Sequence, residues 1–117
     1  MDFNSVMIGS DDAKGLADYY KKLFGAPTMS EEDFNGWQIG SGWIVVGPHD
    51  QVKGQNAHPG RLILNIETSD VRGEFERLRD AGAMVVREPY DPQEGSGMLI
   101  ATLTDPDGNY FQLMSPM

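Results

Sequence analysis

The chain has 117 residues, 39% of them apolar and 23% charged, so one ordinary globular domain is expected. It contains no cysteine, so disulfides, thiolate metal sites and a cysteine nucleophile are excluded among these residues. Nine Lys+Arg against eighteen Asp+Glu give a net charge of −9, a sign that repels phosphate backbones and argues against nucleic-acid binding. No run approaches the ~20 apolar residues of a membrane helix. Met1-Asp2-Phe3-Asn4 has no positively charged apolar leader pattern, so a cytoplasmic location is expected.

In chain order, Phe3–Ile8 reads as a strand. Ala13, Leu16, Ala17, Tyr20, Leu23 and Phe24 then recur at three and four, predicting a helix over Ala13–Phe24. Asp11 or Asp12 can cap its start, and Gly25 suits its end. Three short strands are predicted around Pro27–Glu31, Trp37–Ile39 and Trp43–Val46, with the acidic run Glu31-Glu32-Asp33 in a solvated turn. A connector rich in Gly and Pro covers residues 48–60. A second strand–helix pair follows at Leu62–Ile66 and Val71–Ala81, with Ser69 or Asp70 ahead of the helix and Gly82 behind. Three more strands are predicted at Ala83–Arg87, Met98–Thr104 and Tyr110–Met114.

The two halves match. Ile8 and Ile66 lie 58 residues apart, as do Asp12 and Asp70. Each half is β-α-β-β-β, so the chain reads as a tandem duplication within one α+β domain: module one about 1–47, linker 48–60, module two about 61–117. Alternation places Leu62, Leu64 and Ile66 on one face, with Ile63, Asn65 and Glu67 on the other. Phe111 and Leu113 oppose Tyr110, Gln112 and Met114. The aliphatic faces are expected to pack under the helices, and the faces mixing Ser, Asn, Gln, Tyr and Met suit a ligand-lining concave surface. Trp37, Trp43, Tyr90, Met7 and Met98 are expected beside it, and Gly95-Ser96-Gly97 could form a flap.

The paired modules, the stretch Ser10-Asp11-Asp12 with Asp18-Tyr19-Tyr20-Lys21-Lys22-Leu23-Phe24-Gly25, and the turn Asp105-Pro106-Asp107-Gly108-Asn109 before Tyr110-Phe111-Gln112-Leu113 resemble the vicinal oxygen chelate superfamily. This is the glyoxalase I, bleomycin-resistance and extradiol dioxygenase group, and the resemblance covers essentially the whole chain. It implies two βαβββ modules forming a curled open sheet, the glyoxalase/bleomycin-resistance fold. It also implies a divalent metal held by His and Glu from the first and last strand of each module. Those positions fall on Ser5 (Asn4 with the register shifted by one), Val45, Ile63 and Gln112. None is His, Asp or Glu, and a divalent ion needs several strong donors at ~2.0–2.6 Å.

No metal and no cofactor are therefore expected. The only histidines, His49 and His58, sit in the connector without fixed ligand spacing. Ser5, Met7, Trp43, Ile63, Asn65, Tyr110 and Gln112 are the expected ligand-binding residues. The expected partner is a small organic molecule, bound without catalysis as in the bleomycin-resistance branch, with the acidic charge favouring a cation. The alternative is a metal-dependent lyase, isomerase or dioxygenase resembling glyoxalase I. A third reading makes Glu67 or Tyr110 a metal-independent proton-transfer group. The family resemblance implies a homodimer.

Overall fold

The computed structural model describes residues 1–117. Strand β1 (Ser5–Ser10) leads into α1 (Ala13–Phe24), followed by β2 (Met29–Glu31), β3 (Phe34–Ile39) and β4 (Gly42–Pro48). After a 3-10 turn at Pro59–Arg61 come β5 (Leu64–Glu67), α2 (Val71–Asp80), β6 (Met84–Tyr90), β7 (Ile100–Thr104) and β8 (Tyr110–Met114). The chain divides into two units, Met1–Gly54 and Gln55–Met117. Each carries one four-stranded mixed sheet, ordered β1-β4-β3-β2 in the first and β5-β8-β7-β6 in the second. In each, the first strand runs parallel to the last and the other pairings are antiparallel.

Both helices begin the same way. The Asp12 carboxylate accepts the Gly15 N–H at 3.1 Å, and the Asp70 carboxylate accepts the Gly73 N–H at 3.0 Å. One residue pair earlier, Ser10 Oγ accepts the Asp12 N–H and Thr68 Oγ1 accepts the Asp70 N–H. These bonds satisfy donors that a helix start otherwise leaves open. A Cβ at Gly15 or Gly73 would run into the capping carboxylate, so the tight cap requires glycine there. The caps are the two aspartates nearest each helix, Asp12 and Asp70.

Amphipathic packing does the rest. Leu16, Ala17, Tyr19, Tyr20 and Leu23 of α1 are buried with Ile8, Trp37, Ile44 and Val46 beneath them. In the second unit Val71, Phe75 and Leu78 of α2 are buried with Ala101, Leu103, Phe111 and Leu113. Three sequence expectations are corrected here. Trp37 does not flank a binding face: it is 2% exposed on the helix side, tilted against Tyr20, with its indole N–H donated to the Gly25 carbonyl at 2.9 Å. Leu62 shares no buried face with Leu64 and Ile66, being 79% exposed. The ladder with β8 starts at Leu64 opposite Phe111, so Leu62 and Ile63 precede the strand. Helix α2 stops at Asp80, and Ala81 is its C-cap.

The connector is tied down in two parts. Gly54 donates its N–H to Asp11, and His49 donates its N–H to the Ser10 carbonyl, both within the first unit. In the second unit, Gln55 donates to the Pro106 carbonyl and Asn56 to Asn109 Oδ1 and the Asp107 carbonyl. Those partners belong to the Asp105–Asn109 turn, which is built round a carboxylate that is 1% exposed. Asp105 Oδ1 accepts the backbone N–H groups of Asp107 and Asn109 at 2.9 and 3.0 Å. The turn motif thus has a structural purpose: it carries β7 into β8 and docks the segment before the second module. No helix is long and apolar enough to cross a membrane.

Candidate functional site

Each sheet has one face under its helix and one face away from it. In the first unit the away face is ordered by the register into cross-strand rows. Ser5 lies beside Trp43 and Gln38, and Met7 lies beside Val45, Gly36 and Met29. Two glycines shape this surface. A Cβ at Gly36 would touch the six-membered ring of Trp43 and the methyl of Met29 at 3.4 Å, and a Cβ at Gly47 would collide with the Phe34 ring. Trp43 and Phe34 therefore rest on bare backbone on either side of the Met7–Val45–Gly36–Met29 row. The result is an aromatic and thioether floor, with a depression of about 310 Å³ lined by Met29, Glu31, Glu32, Phe34 and Val45. Met7 is 48% exposed on it. Phe34, Met29 and the two glutamates extend what the sequence singled out as Ser5, Met7 and Trp43.

The second unit presents a different surface on the corresponding strands. Asn65 is registered with Gln112, Gln112 with Thr102, and Thr102 with Arg87, giving one row across all four strands. The Gln112 amide N–H donates to Thr102 Oγ1 at 3.1 Å. The neighbouring row is Glu67, Met114, Ile100 and Tyr90, and Tyr110 pairs with Thr104 on the other side. Ile63 lies one residue ahead of β5, outside the ladder. Strand β6 shifts register between Val85 and Arg87 and again between Arg87 and Tyr90, and the second shift lets Arg87 and Tyr90, three residues apart, face the same way. Their side chains stack, the Arg87 guanidinium carbon standing 3.4 Å from the Tyr90 ring centroid.

The loop after Tyr90 is organised rather than loose. Asp91 accepts hydrogen bonds from the Ser96 hydroxyl at 2.6 Å and from the backbone N–H groups of Gln93 and Gly97. The Ser96 hydroxyl, then those backbone groups, hold the exposed Asp91 carboxyl below the ordinary value of 3.8. Gly95 and Gly97 both take positive φ, at 83° and 79°, which is why glycine stands at these two positions. Lys14 likewise lowers the pKa of exposed Asp18 on α1, first by hydrogen bonding and then by its charge.

The metal implied by the superfamily does not fit the residues present. Val45 and Ile63 carry no donor atom, Ser5 offers one neutral hydroxyl, and Gln112 offers one neutral amide oxygen, its N–H being donated to Thr102. Elsewhere no three His, Asp or Glu side chains gather into a group that could hold an ion. His49 accepts the Gln51 N–H on Nδ1 in the exposed connector.

Comparison with known proteins gives a consistent picture. Residues 5–114 match the family model of a glyoxalase-like domain. A lactoylglutathione lyase of Arabidopsis thaliana is 27% identical over 96% of this chain. The chain spans only 43% of that relative's length. Among solved structures, a glyoxalase-related enzyme from Fulvimarina pelagi superposes with a TM-score of 0.74 at 22% identity, over 99% of this chain and 88% of that one. A glyoxalase/bleomycin resistance protein/dioxygenase family enzyme from Burkholderia phytofirmans gives 0.72 at 21% identity, with all of both chains covered. At these identities the structural matches speak for the fold alone.

Proposed function

The chain belongs to the glyoxalase-like domain family, and from that premise we propose that it binds a small organic molecule without a metal. The observation that carries the reading is the first unit's away face, where Trp43 and Phe34 lie on Gly36 and Gly47 beside Met7, Met29 and Val45. Aromatic rings supply large contact areas at small entropic cost, and methionine adapts to irregular apolar shapes. Glu31 and Glu32 on the rim of the depression, in a chain of net charge −9, favour a ligand with an organic cation. Ser5 would add a directional contact here, and Asn65, Tyr110 and Gln112 would do so on the second unit's own face.

Sequestration of such a ligand is the corresponding biological role. A cytoplasmic setting accords with a chain that has no cysteine to protect or oxidise. A homodimer belongs to the same proposal, supported by edge strand β6, where Met84, Val85 and Val86 are all more than 40% exposed. The test is a titration with rhodamine 6G, a fluorescent aromatic cation, against chelator-treated protein and its Trp43→Ala variant. Saturable binding that is weakened by the substitution and by added salt supports the reading. Binding that appears only after a divalent metal is restored refutes it.

A second reading is favoured by the Arabidopsis relative, whose name is that of a lyase. On that reading the protein is a metal-dependent enzyme. Near-stoichiometric Ni, Zn, Fe or Mn in protein purified without chelator would establish it over the first.

A further inference from the structure

The duplication lets the two sheets be compared strand for strand. The central row of the first unit, Met7–Val45–Gly36–Met29, is apolar throughout. The matching row of the second unit, Asn65–Gln112–Thr102–Arg87, is polar throughout and ends in a cation. We infer that this second row is a subsite for an organic carboxylate, with Arg87 as the charge that binds it.

Three observations point there. The first is the aiming of Arg87. The register shift between Arg87 and Tyr90 brings these two residues, three apart, to the same face, which regular alternation would not do. Tyr90 then fixes the guanidinium by stacking at 3.4 Å. A ring against the flat face leaves the N–H edges of the guanidinium available, and that fork matches a carboxylate bidentately.

The second is that Arg87 has no acid of its own. The ion pairs of the protein involve Asp18, Asp50, Glu74 and Asp80, none of them with Arg87. Asp91, the nearest acid beyond Tyr90, is committed to Ser96, Gln93 and Gly97. Glu88 lines a cleft on the α2 side with Arg72 and Arg79. Glu67 shares the face but stands on β5, three strand spacings or roughly 14 Å away. The net charge of −9 opposes an anion at long range, but exposed charges beyond ~8 Å are largely screened at physiological salt, so the local cation decides.

The third is the neighbourhood. Thr102 is 7% exposed, a buried hydroxyl registered directly against Arg87, and Gln112 and Asn65 continue the row with further amide donors. One row along, Ile100 and Met114 are apolar. A ligand laid across the two rows would put its carboxylate on Arg87 and Thr102 and its hydrocarbon on Ile100 and Met114. This rests on the proposed function only in treating the away faces as ligand faces.

Benzoate and its neutral counterpart benzamide test it by titration into 15N-labelled protein. Benzoate is expected to shift amides of β6, β7 and β8, with benzamide about tenfold weaker because it lacks the charge-assisted pair. Arg87→Gln should weaken benzoate about tenfold, and Arg87→Lys should restore part of the loss, as a point charge without the fork would. Equal responses to benzoate and benzamide overturn the inference. So do unchanged benzoate shifts in Arg87→Gln, or no shift on these strands up to about 20 mM, above any millimolar affinity. The amide spectrum of each variant reports its fold in the same experiment. The rhodamine titration with Trp43→Ala reads the first unit's face, so the two readings fail separately.

Discussion

Replacing each of the two tryptophans by phenylalanine separates packing from binding. Trp37 is 2% exposed, and its indole N–H donates to the Gly25 carbonyl at 2.9 Å. Trp37→Phe removes that bond and leaves the carbonyl that ends α1 without its partner, a loss of about 1 kcal/mol. The missing ring atoms open a small cavity against Tyr20, worth about 1–2 kcal/mol more. The sum is about 2–3 kcal/mol. With an unfolding entropy near 2.1 cal/mol/K per residue, a chain of 117 residues should lose roughly 4 °C per kcal/mol, so the melting temperature should fall by about 8–12 °C. Trp43 is only half-buried on the away face, so Trp43→Phe should cost less than about 1 kcal/mol. Thermal and urea unfolding followed by circular dichroism measure both. A Trp37→Phe protein within about 0.5 kcal/mol of the parent, or equal losses for the two variants, would refute the assignment of the two rings to opposite faces.

Gly47→Ala should push the Phe34 ring off the backbone, costing about 1–3 kcal/mol in urea unfolding and weakening rhodamine 6G binding; an unchanged affinity would remove Phe34 from the floor. Asp12→Ala and Asp70→Ala should each cost about 1 kcal/mol, equal in the two modules because the cap geometry is equal. Asp105→Ala strips acceptors from the N–H groups of Asp107 and Asn109 and should cost about 2–4 kcal/mol, read in the same unfolding experiment. Asp91 has a lowered folded pKa, so the loop's stabilisation is present above the ordinary value of 3.8 and is lost as pH falls through the lower folded value. Its carboxyl carbon should titrate below 3.8 by NMR and move up in Ser96→Ala, whereas an unchanged midpoint would separate Asp91 from Ser96.

What the residue pattern reveals, and what it hides, follows from how each element is stabilised. Helix α1 coincides with the predicted Ala13–Phe24, and β8 with Tyr110–Met114, because in both the periodicity of burial and the flanking stop signals agree. The twofold repeat is legible for the same reason, and the 58-residue spacing recurs in the caps Asp12 and Asp70. Strand β3 starts three residues before the predicted Trp37, since Asn35 and Gly36 look like turn formers. Gly36 instead pairs with Met29 and Val45 in the sheet and lies against the Trp43 ring, and those cross-strand partners override its low β propensity. Three residues are too few for alternation to assign Trp37 its face. The register shifts of β6 leave no signature in composition, so the residue pattern does not single out Arg87 and marks Tyr90 only as a flanking aromatic. One missed signal was readable: Ser10-x-Asp12-x-x-Gly15 and Thr68-x-Asp70-x-x-Gly73 are the same capping motif, written twice.

The measurement that bears most directly on metal-free ligand binding is the affinity of chelator-treated protein for rhodamine 6G, compared with Trp43→Ala under the same conditions. Saturable binding that weakens by about 1–3 kcal/mol in Trp43→Ala is the predicted result. No saturable binding until a divalent metal is added, or identical affinity in the two proteins, would contradict it.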